Sequence, residues 1–402
     1  MQSQRDLVRS TLLALPVVAY LVWRTTRTVE RPDSAIIPSP AGYVAALSDQ
    51  EQRDLPYPPD ALPGRRDVET PHGTIRAYEW GNEDGQKVLL VHGISTPCIS
   101  LAGVAKNLAA KGYRVLLFDL FGRGYSGAPD PYYHPQNVQL FSSQIHFVLA
   151  SSPLSWTGTS KFHMVGYSLG GGISLAFTSY FPDLVDSLVL IAPSGLIRQS
   201  RMALPSRIIY SGAIPGPIVR AMVRRRFGAG GVKQPGQQSA NPEATAEKAM
   251  TAEIPDEDDT HPALKPDSSA PIFKDRPDIS VADAVAWQVE HNQSFIPSFV
   301  SSIQNAPITE QHDTWRLVSQ RLETQRANPQ DKAAASKGLR HGKVLMLLGK
   351  TDEVIVGEDL APDATELLGE AGLDIGWVEA GHDLPIVKPD DIANMIMKFW
   401  EQ

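Results

Sequence analysis

Apolar runs and amphipathic stretches take turns along most of the chain from residue 67 onward. Asp67–Thr70 and Thr74–Trp80 alternate apolar and polar positions on either side of His72-Gly73, which predicts two strands joined as a hairpin. Four runs follow in which apolar residues are continuous: KVLLV at 87–91, RVLLFD at 114–119, KFHMV at 161–165 and LVLIA at 188–192. Such runs predict strands covered on both faces. Between them, Leu101–Ala110, closed by Gly112, and the stretches Pro135–Ala150 and Leu169–Tyr180 carry helical spacing. Lys343–Leu348 and Gly376–Glu379 read as two further strands. Strand and helix alternating at this interval predict an α/β fold: a mostly parallel central sheet with helices on both faces. Ligand sites in such sheets lie at the carboxyl ends of the strands.

The rhythm breaks in two places. Residues 31–65 carry seven prolines (Pro32, Pro38, Pro40, Pro56, Pro58, Pro59, Pro63) and read as an extended linker with one short helix around Tyr43–Leu47. Residues 197–340 separate the first part of the α/β pattern (66–196) from the second (341–402) and read as an insert. Within the insert, 197–233 holds eight cations and no acid, interleaved with residues such as Ile218, Met222 and Phe227. This composition suits either an anionic membrane surface or ordinary helices with a solvated basic face. Residues 228–272 are rich in Gly, Pro, Gln, Ser and acids and read as a mobile loop. Residues 280–325 return to helical spacing, with Trp287, Phe295, Phe299 and Trp315 as pocket or core candidates.

A third feature precedes the pattern. Thr11–Trp23 is a run of thirteen uncharged residues flanked by Arg5, Arg9, Arg24 and Arg27. As a helix it would be about 20 Å long at ~1.5 Å per residue, short of the ~30 Å bilayer core. An N-terminal anchor within residues 1–30, spanning a thin membrane or lying in its interface, is favoured over two alternatives. A cleaved signal peptide lacks a small-x-small site after Val22; the other alternative is a helix packed on the protein's own surface. The expectation is membrane association with a cytosolic catalytic body, the alternative being a lumenal one.

Composition narrows the functional classes. The 402 residues are 42% hydrophobic and 20% charged, ordinary for a globular protein. A net charge of −8 argues against a nucleic-acid partner. One cysteine, Cys98, excludes an intrachain disulfide and a multi-cysteine zinc site, and agrees with a reducing compartment.

The sharpest chemical signal is Gly166-Tyr167-Ser168-Leu169-Gly170, a G-x-S-x-G element between a predicted strand and a predicted helix. A serine there sits on a tight turn with its hydroxyl projecting from the sheet, and the flanking glycines avoid collisions. The helix that follows aims its N-terminal N–H groups at the serine. A serine nucleophile needs a base, and the base an orienting acid. His382, in Ala380-Gly381-His382-Asp383, and Asp352, in Gly349-Lys350-Thr351-Asp352, both fall at predicted strand ends and supply them in the order Ser168, Asp352, His382. Rivals to Asp352 are Glu353 and an acid of the insert; Asp383 reads as solvent-facing or a local cap. The oxyanion donors are expected from the backbone N–H groups of Leu169 and of Ile94, in the loop His92–Pro97. His92, Asp119 and Arg123 read as loop-bracing residues, and Cys98 as a small buried side chain.

Taken together, His92-Gly93, the D-x-x-G-x-G-x-S of 119–126, the G-Y-S-L-G-G of 166–171, the G-x-x-D of 349–352 and the G-H-D of 381–383 resemble the α/β-hydrolase fold superfamily. Within it, the pattern looks like the monoacylglycerol lipase, esterase and carbon–carbon-bond hydrolase branches. The resemblance covers about 66–196 and 341–402. It implies a cap after the sixth strand and a reaction without metal or organic cofactor. The expectation is a serine hydrolase of an apolar carboxylic ester, a lipid or hydrophobic metabolite. The alternatives are a carbon–carbon bond or thioester hydrolase with the same triad, and a non-catalytic binding protein of this fold.

Overall fold

The apolar runs become the middle of one eight-stranded sheet. A computed structural model describes residues 35–158, 160–198, 211, 214, 216–229, 270–273 and 276–402. Ile36–Gln402 is one unit with a contiguous core; Met1–Ala35 is a separate unit, and the run Thr11–Trp23 lies outside the described residues. Among the described residues no helix is long and apolar enough to cross a membrane.

The strands are β1 (Ile36–Ile37), β2 (Arg65–Val68), β3 (Ile75–Gly81), β4 (Lys87–Val91), β5 (Arg114–Phe118), β6 (Ala128–Pro129), β7 (Phe162–Tyr167), β8 (Val185–Ile191), β9 (Pro271–Phe273), β10 (Arg276–Ser280), β11 (Val344–Gly349) and β12 (Leu373–Val378). The main sheet runs β12-β11-β8-β7-β4-β5-β3-β2. Only β3 opposes its neighbours; every other strand points the same way. The β2–β3 hairpin turns at His72-Gly73, pairing Val68 with Ile75. Strands β4, β5, β7, β8 and β11 are buried along almost their whole length, as their unbroken apolar runs require.

Two helical layers cover the sheet. Helix Ala102–Ala110 packs with Pro389–Trp400, and helix Val138–Ala150 with Leu169–Tyr180. The parallel strands and their crossover helices bring the loops after β4, β7, β11 and β12 to one end of the sheet, and the candidate chemistry sits on those loops.

Two expectations are corrected here. The proline-rich stretch is not an extended linker. Within it, Ala41–Ala45 and Asp49–Asp54 are helices, the second closed by a Ser48–Glu51 capping box, and Val44, Tyr57 and Leu62 are buried in the core. Proline fixes φ and removes a backbone N–H but leaves both helical and extended ψ open, and the apolar side chains between the prolines still gain by burial. Tyr57 is held from both sides: its hydroxyl donates to Asp119 Oδ2 (3.0 Å), and its carbonyl accepts from the Tyr125 hydroxyl.

The insert is the second. It contains helices Gly216–Ala229, Val281–His291, Phe295–Asn305, His312–Ala327 and Lys332–Lys337. His312–Ala327 packs against Leu169–Tyr180 and Gly357–Leu368, so it belongs to a helical layer of the core rather than to a separate cap. Most of the expected mobile loop, 230–269, lies outside the described residues. Of the basic stretch, Arg198 forms ion pairs with Asp363 and Asp359, while Arg224 and Arg225 are exposed beside Ile218 and Met222.

Candidate active site

The backbone at Ser168 is bent as the motif demands. Ser168 has φ 52° and ψ −119°, a left-handed conformation that costs a residue with a Cβ about 1–3 kcal/mol. Three backbone hydrogen bonds hold it there. Ser168 N–H donates to Ile191 O (2.9 Å), and its carbonyl accepts from Gly171 and Ser194 (2.9 and 3.0 Å). The flanking glycines are required by space: a Cβ on Gly166 would lie 2.3 Å from Gly170 O, and one on Gly170 would lie 2.1 Å from Val91 O.

His382 and Asp352 converge on this serine from the loops after β12 and β11. His382 Nε2 lies 3.0 Å from Ser168 Oγ, and His382 Nδ1 lies 2.9 Å from Asp352 Oδ2. The other carboxylate oxygen, Asp352 Oδ1, accepts from the N–H groups of Val354 and Ile355, both at 2.8 Å. That Asx-type turn fixes the carboxylate plane, so only one oxygen faces the imidazole. Glu353, the adjacent rival, is exposed. Asp383 stands at the N-cap of helix Leu384–Val387, one of its two sequence readings, but it does not face solvent: it is buried and accepts from the Tyr167 hydroxyl at 3.3 Å. The Tyr167 ring lies beside the His382 ring, centroids 5.3 Å apart, so the Tyr167–Asp383 pair braces the histidine.

A small cavity opens on the serine, lined by Gly93, Ile94, Ser95, Thr96, Tyr167, Ser168 and His382. Ile94 therefore borders the space above the serine. Leu169, buried, begins the helix Leu169–Tyr180, so its N–H has no helix carbonyl one turn back to pair with. Gly93 lets the loop lie against the serine: a Cβ there would sit 3.3 Å from Ser168 Cβ. Ser168, Asp352 and His382 are 3%, 6% and 7% exposed, so the site is nearly covered.

The bracing residues hold the loops after β4 and β5. His92 is wholly buried; burial and the charge of Arg123 hold its pKa down to about 3, and it is neutral. Its Nε2 accepts from Leu120 N–H (2.8 Å), so the proton sits on Nδ1, which donates to Gly93 O (2.8 Å). Buried Asp119 accepts from Cys98 N–H and Tyr125 N–H, both 2.9 Å, and burial raises its pKa. Arg123 is wholly buried, has no carboxylate partner among the described residues, and donates to Ile94 O, Phe121 O and Ser302 Oγ. Two residues that sequence reasoning passed over also reach this loop: Gln288 and Ser302, both on insert helices. Their apolar helical surroundings gave no sign of it. Asn292, first residue of a glycosylation sequon, is buried and donates to Gly124 O and Ser126 O. Among the described residues no cluster of His, Cys, Asp or Glu is placed to hold a metal ion.

Comparison with known proteins agrees with this architecture. A family model described as the alpha/beta hydrolase fold matches residues 87–214. The human protein named serine hydrolase-like protein is 33% identical over 133 residues, 33% of this chain and 62% of that one. Lipase 1 of Psychrobacter immobilis is 32% identical over 117 residues, 29% of this chain and 34% of that one. The chain spans from 34% to 62% of the length of the curated relatives it matches. Among solved structures, a thermophilic esterase from Thermogutta terrifontis superposes with a TM-score of 0.52 at 15% identity, over 84% of this chain and 98% of that one.

Proposed function

We propose that this chain is a serine hydrolase of the α/β-hydrolase superfamily that cleaves the carboxylic ester of an apolar substrate through Ser168, His382 and Asp352. The observation that carries the reading is the unbroken relay Asp352–His382–Ser168, at 2.9 and 3.0 Å, opening on a cavity. His382 Nε2 takes the proton of Ser168 as Oγ bonds to the ester carbonyl carbon. The carbonyl electron pair moves onto oxygen, and the N–H groups of Ile94 and Leu169 hold that charge. Collapse of the intermediate breaks the bond to the alcohol, which leaves with the proton from His382. Water, deprotonated by the same histidine, then attacks the acyl-enzyme, releasing the acid and restoring Ser168.

Support for an ester comes from the lipase and serine hydrolase names of the relatives. Support for an apolar substrate near a membrane comes from the run Thr11–Trp23 and from exposed Ile218 and Met222 beside Arg224 and Arg225. The insert helices Val281–His291 and Phe295–Asn305 act as the cap in this reading.

A fluorophosphonate probe tests the nucleophile. The wild-type chain should be labelled and Ser168→Ala should not; an unlabelled wild type, or equal labelling of both, sinks the reading. A chain-length series of nitrophenyl esters, with and without anionic vesicles, tests the substrate class. Turnover that falls with acyl length and ignores vesicles would reject the apolar, membrane-associated part.

A further inference from the structure

Consecutive carbonyls of the loop after β4 are each held by a different buried side chain. Gly93 O accepts from His92 Nδ1, Ile94 O from Arg123 Nε, and Ser95 O from Gln288 Nε2. A trans peptide is planar, with its C=O and N–H pointing opposite ways. The Gly93 carbonyl shares its peptide with the Ile94 N–H, so anchoring one on His92 directs the other away from it. Arg123 and Gln288 fix the next two peptides, which leaves Ile94 little rotational freedom.

Two of these three supports lead to the insert. Gln288 lies on helix Val281–His291 and is wholly buried. Its Oε1 accepts from Gly124 N–H (3.0 Å) while its Nε2 donates to Ser95 O, so both ends of one amide are used and the amide orientation is determined. Asn292, just past the same helix, donates to Gly124 O and Ser126 O. Arg123, the support of Ile94 O, is itself tied to Ser302 Oγ (2.8 Å) on helix Phe295–Asn305.

We infer that Gln288 is a positioning residue for the oxyanion donor Ile94, so that seating of helix Val281–His291 over the core completes the loop that receives the negative charge. The inference rests on the hydrolase reading above and names a part for the insert beyond walling the pocket. Ser168 is 3% exposed, and entry of substrate by a shift of the insert is part of the inference. Such a shift withdraws Gln288 from Ser95 O and slackens the loop, and reseating restores it. Efficient turnover is thereby confined to the closed state.

Gln288→Met and Gln288→Glu in the full-length protein provide the test. Loss of a single oxyanion donor costs about 10²–10³ in kcat; a displaced donor should cost less, roughly 10- to 100-fold in kcat for Gln288→Met with KM little changed. Affinity for a trifluoromethyl ketone, which mimics the tetrahedral adduct, should fall in parallel with kcat/KM. Gln288→Glu keeps the size and the acceptor for Gly124, but ionised it faces Ser95 O without a proton. Its kcat/KM relative to wild type should therefore rise as pH falls and the introduced carboxyl regains a donor. Amide exchange across residues 92–97 should quicken in Gln288→Met, a readout independent of turnover. Wild-type kcat and ketone affinity in a folded Gln288→Met overturn the inference, as does a change confined to thermal stability or KM. If Ser168-dependent labelling of the wild type is absent, the hydrolase reading fails by itself. Unchanged exchange at 92–97 would then overturn the loop coupling separately.

Discussion

At Ser168 the strained φ and the reach of the hydroxyl toward His382 have one cause. A tight strand-to-helix turn places the hydroxyl where a base can reach it, and three backbone hydrogen bonds hold a conformation that an isolated serine avoids. The acid is chosen by local geometry rather than by proximity in sequence. Asp352, Glu353 and Asp383 all stand within one residue of a candidate position, yet only Asp352 has one oxygen pinned by Val354 and Ile355 and the other free to meet His382. Replacing Asp352 with Asn should lower kcat by about 10³- to 10⁴-fold, since the imidazole loses its orienting acceptor. Replacing Asp383 with Asn should cost far less, because it is Asp352, not Asp383, whose carboxylate accepts from His382 Nδ1, while Asp383 accepts from the Tyr167 hydroxyl. Steady-state kinetics on a nitrophenyl ester separate the two, and equal losses would show that the assignment of the acid is wrong.

Among the elements, the strands were the easiest to read. Runs such as KVLLV and LVLIA have no other comfortable place than a sheet covered on both faces, and the structure puts them at β4 and β8. The helix Leu169–Tyr180 starts and ends where its pattern predicted, because the glycines of the turn fix its beginning. Gly170 is required there by the carbonyl of Val91. Gly170→Ala should destabilise the fold by about 1–3 kcal/mol or more, as an overpacked core does. Urea unfolding should show it, together with weakened probe labelling as the elbow moves; a variant with wild-type stability would mean that β4 and the helix can part without cost. The proline-rich segment was harder. Its backbone signature is that of a linker, and only the burial of Val44, Tyr57 and Leu62 reveals it as a strap across the core. Prolines report on dihedral angles, and a sequence does not say whether an extended segment meets water or a neighbouring apolar surface.

For the molecule as a whole, buried neutral histidines link stability to pH. Burial lowers the pKa of His92 to about 3 and that of His163 to about 4, against ~6.5 in an unfolded chain. His163 sits in β7 between Ser187 Oγ and Gln86 Oε1, stacked on Trp400, and does not line the cavity on Ser168. As pH falls below ~6.5 the unfolded chain takes up protons that the native state refuses, so stability declines until the native pKa is reached. Thermal unfolding of the wild type should therefore shift to lower temperature between pH ~6.5 and ~4. His163→Gln should show a shallower slope over that window, whatever its stability at neutral pH. A slope equal to the wild type's would mean that His163 does not contribute.

The residue types and their order along the chain were enough to predict the α/β fold, the strands of the central sheet and the candidate catalytic set. Each depends on local pattern: continuous apolar runs, glycines flanking a serine, an acid and a histidine at strand ends. What the tertiary structure decided depends on contacts between residues far apart in sequence. Such contacts buried the proline-rich strap, moved helix His312–Ala327 from the insert to the core layer, and turned Asp383 inward against Tyr167. They also brought Gln288, 193 positions from Ser95, to hold the loop beside Ser168. A glutamine in an apolar helix has no periodicity that announces its partner; only the packing of the helix against the loop supplies one.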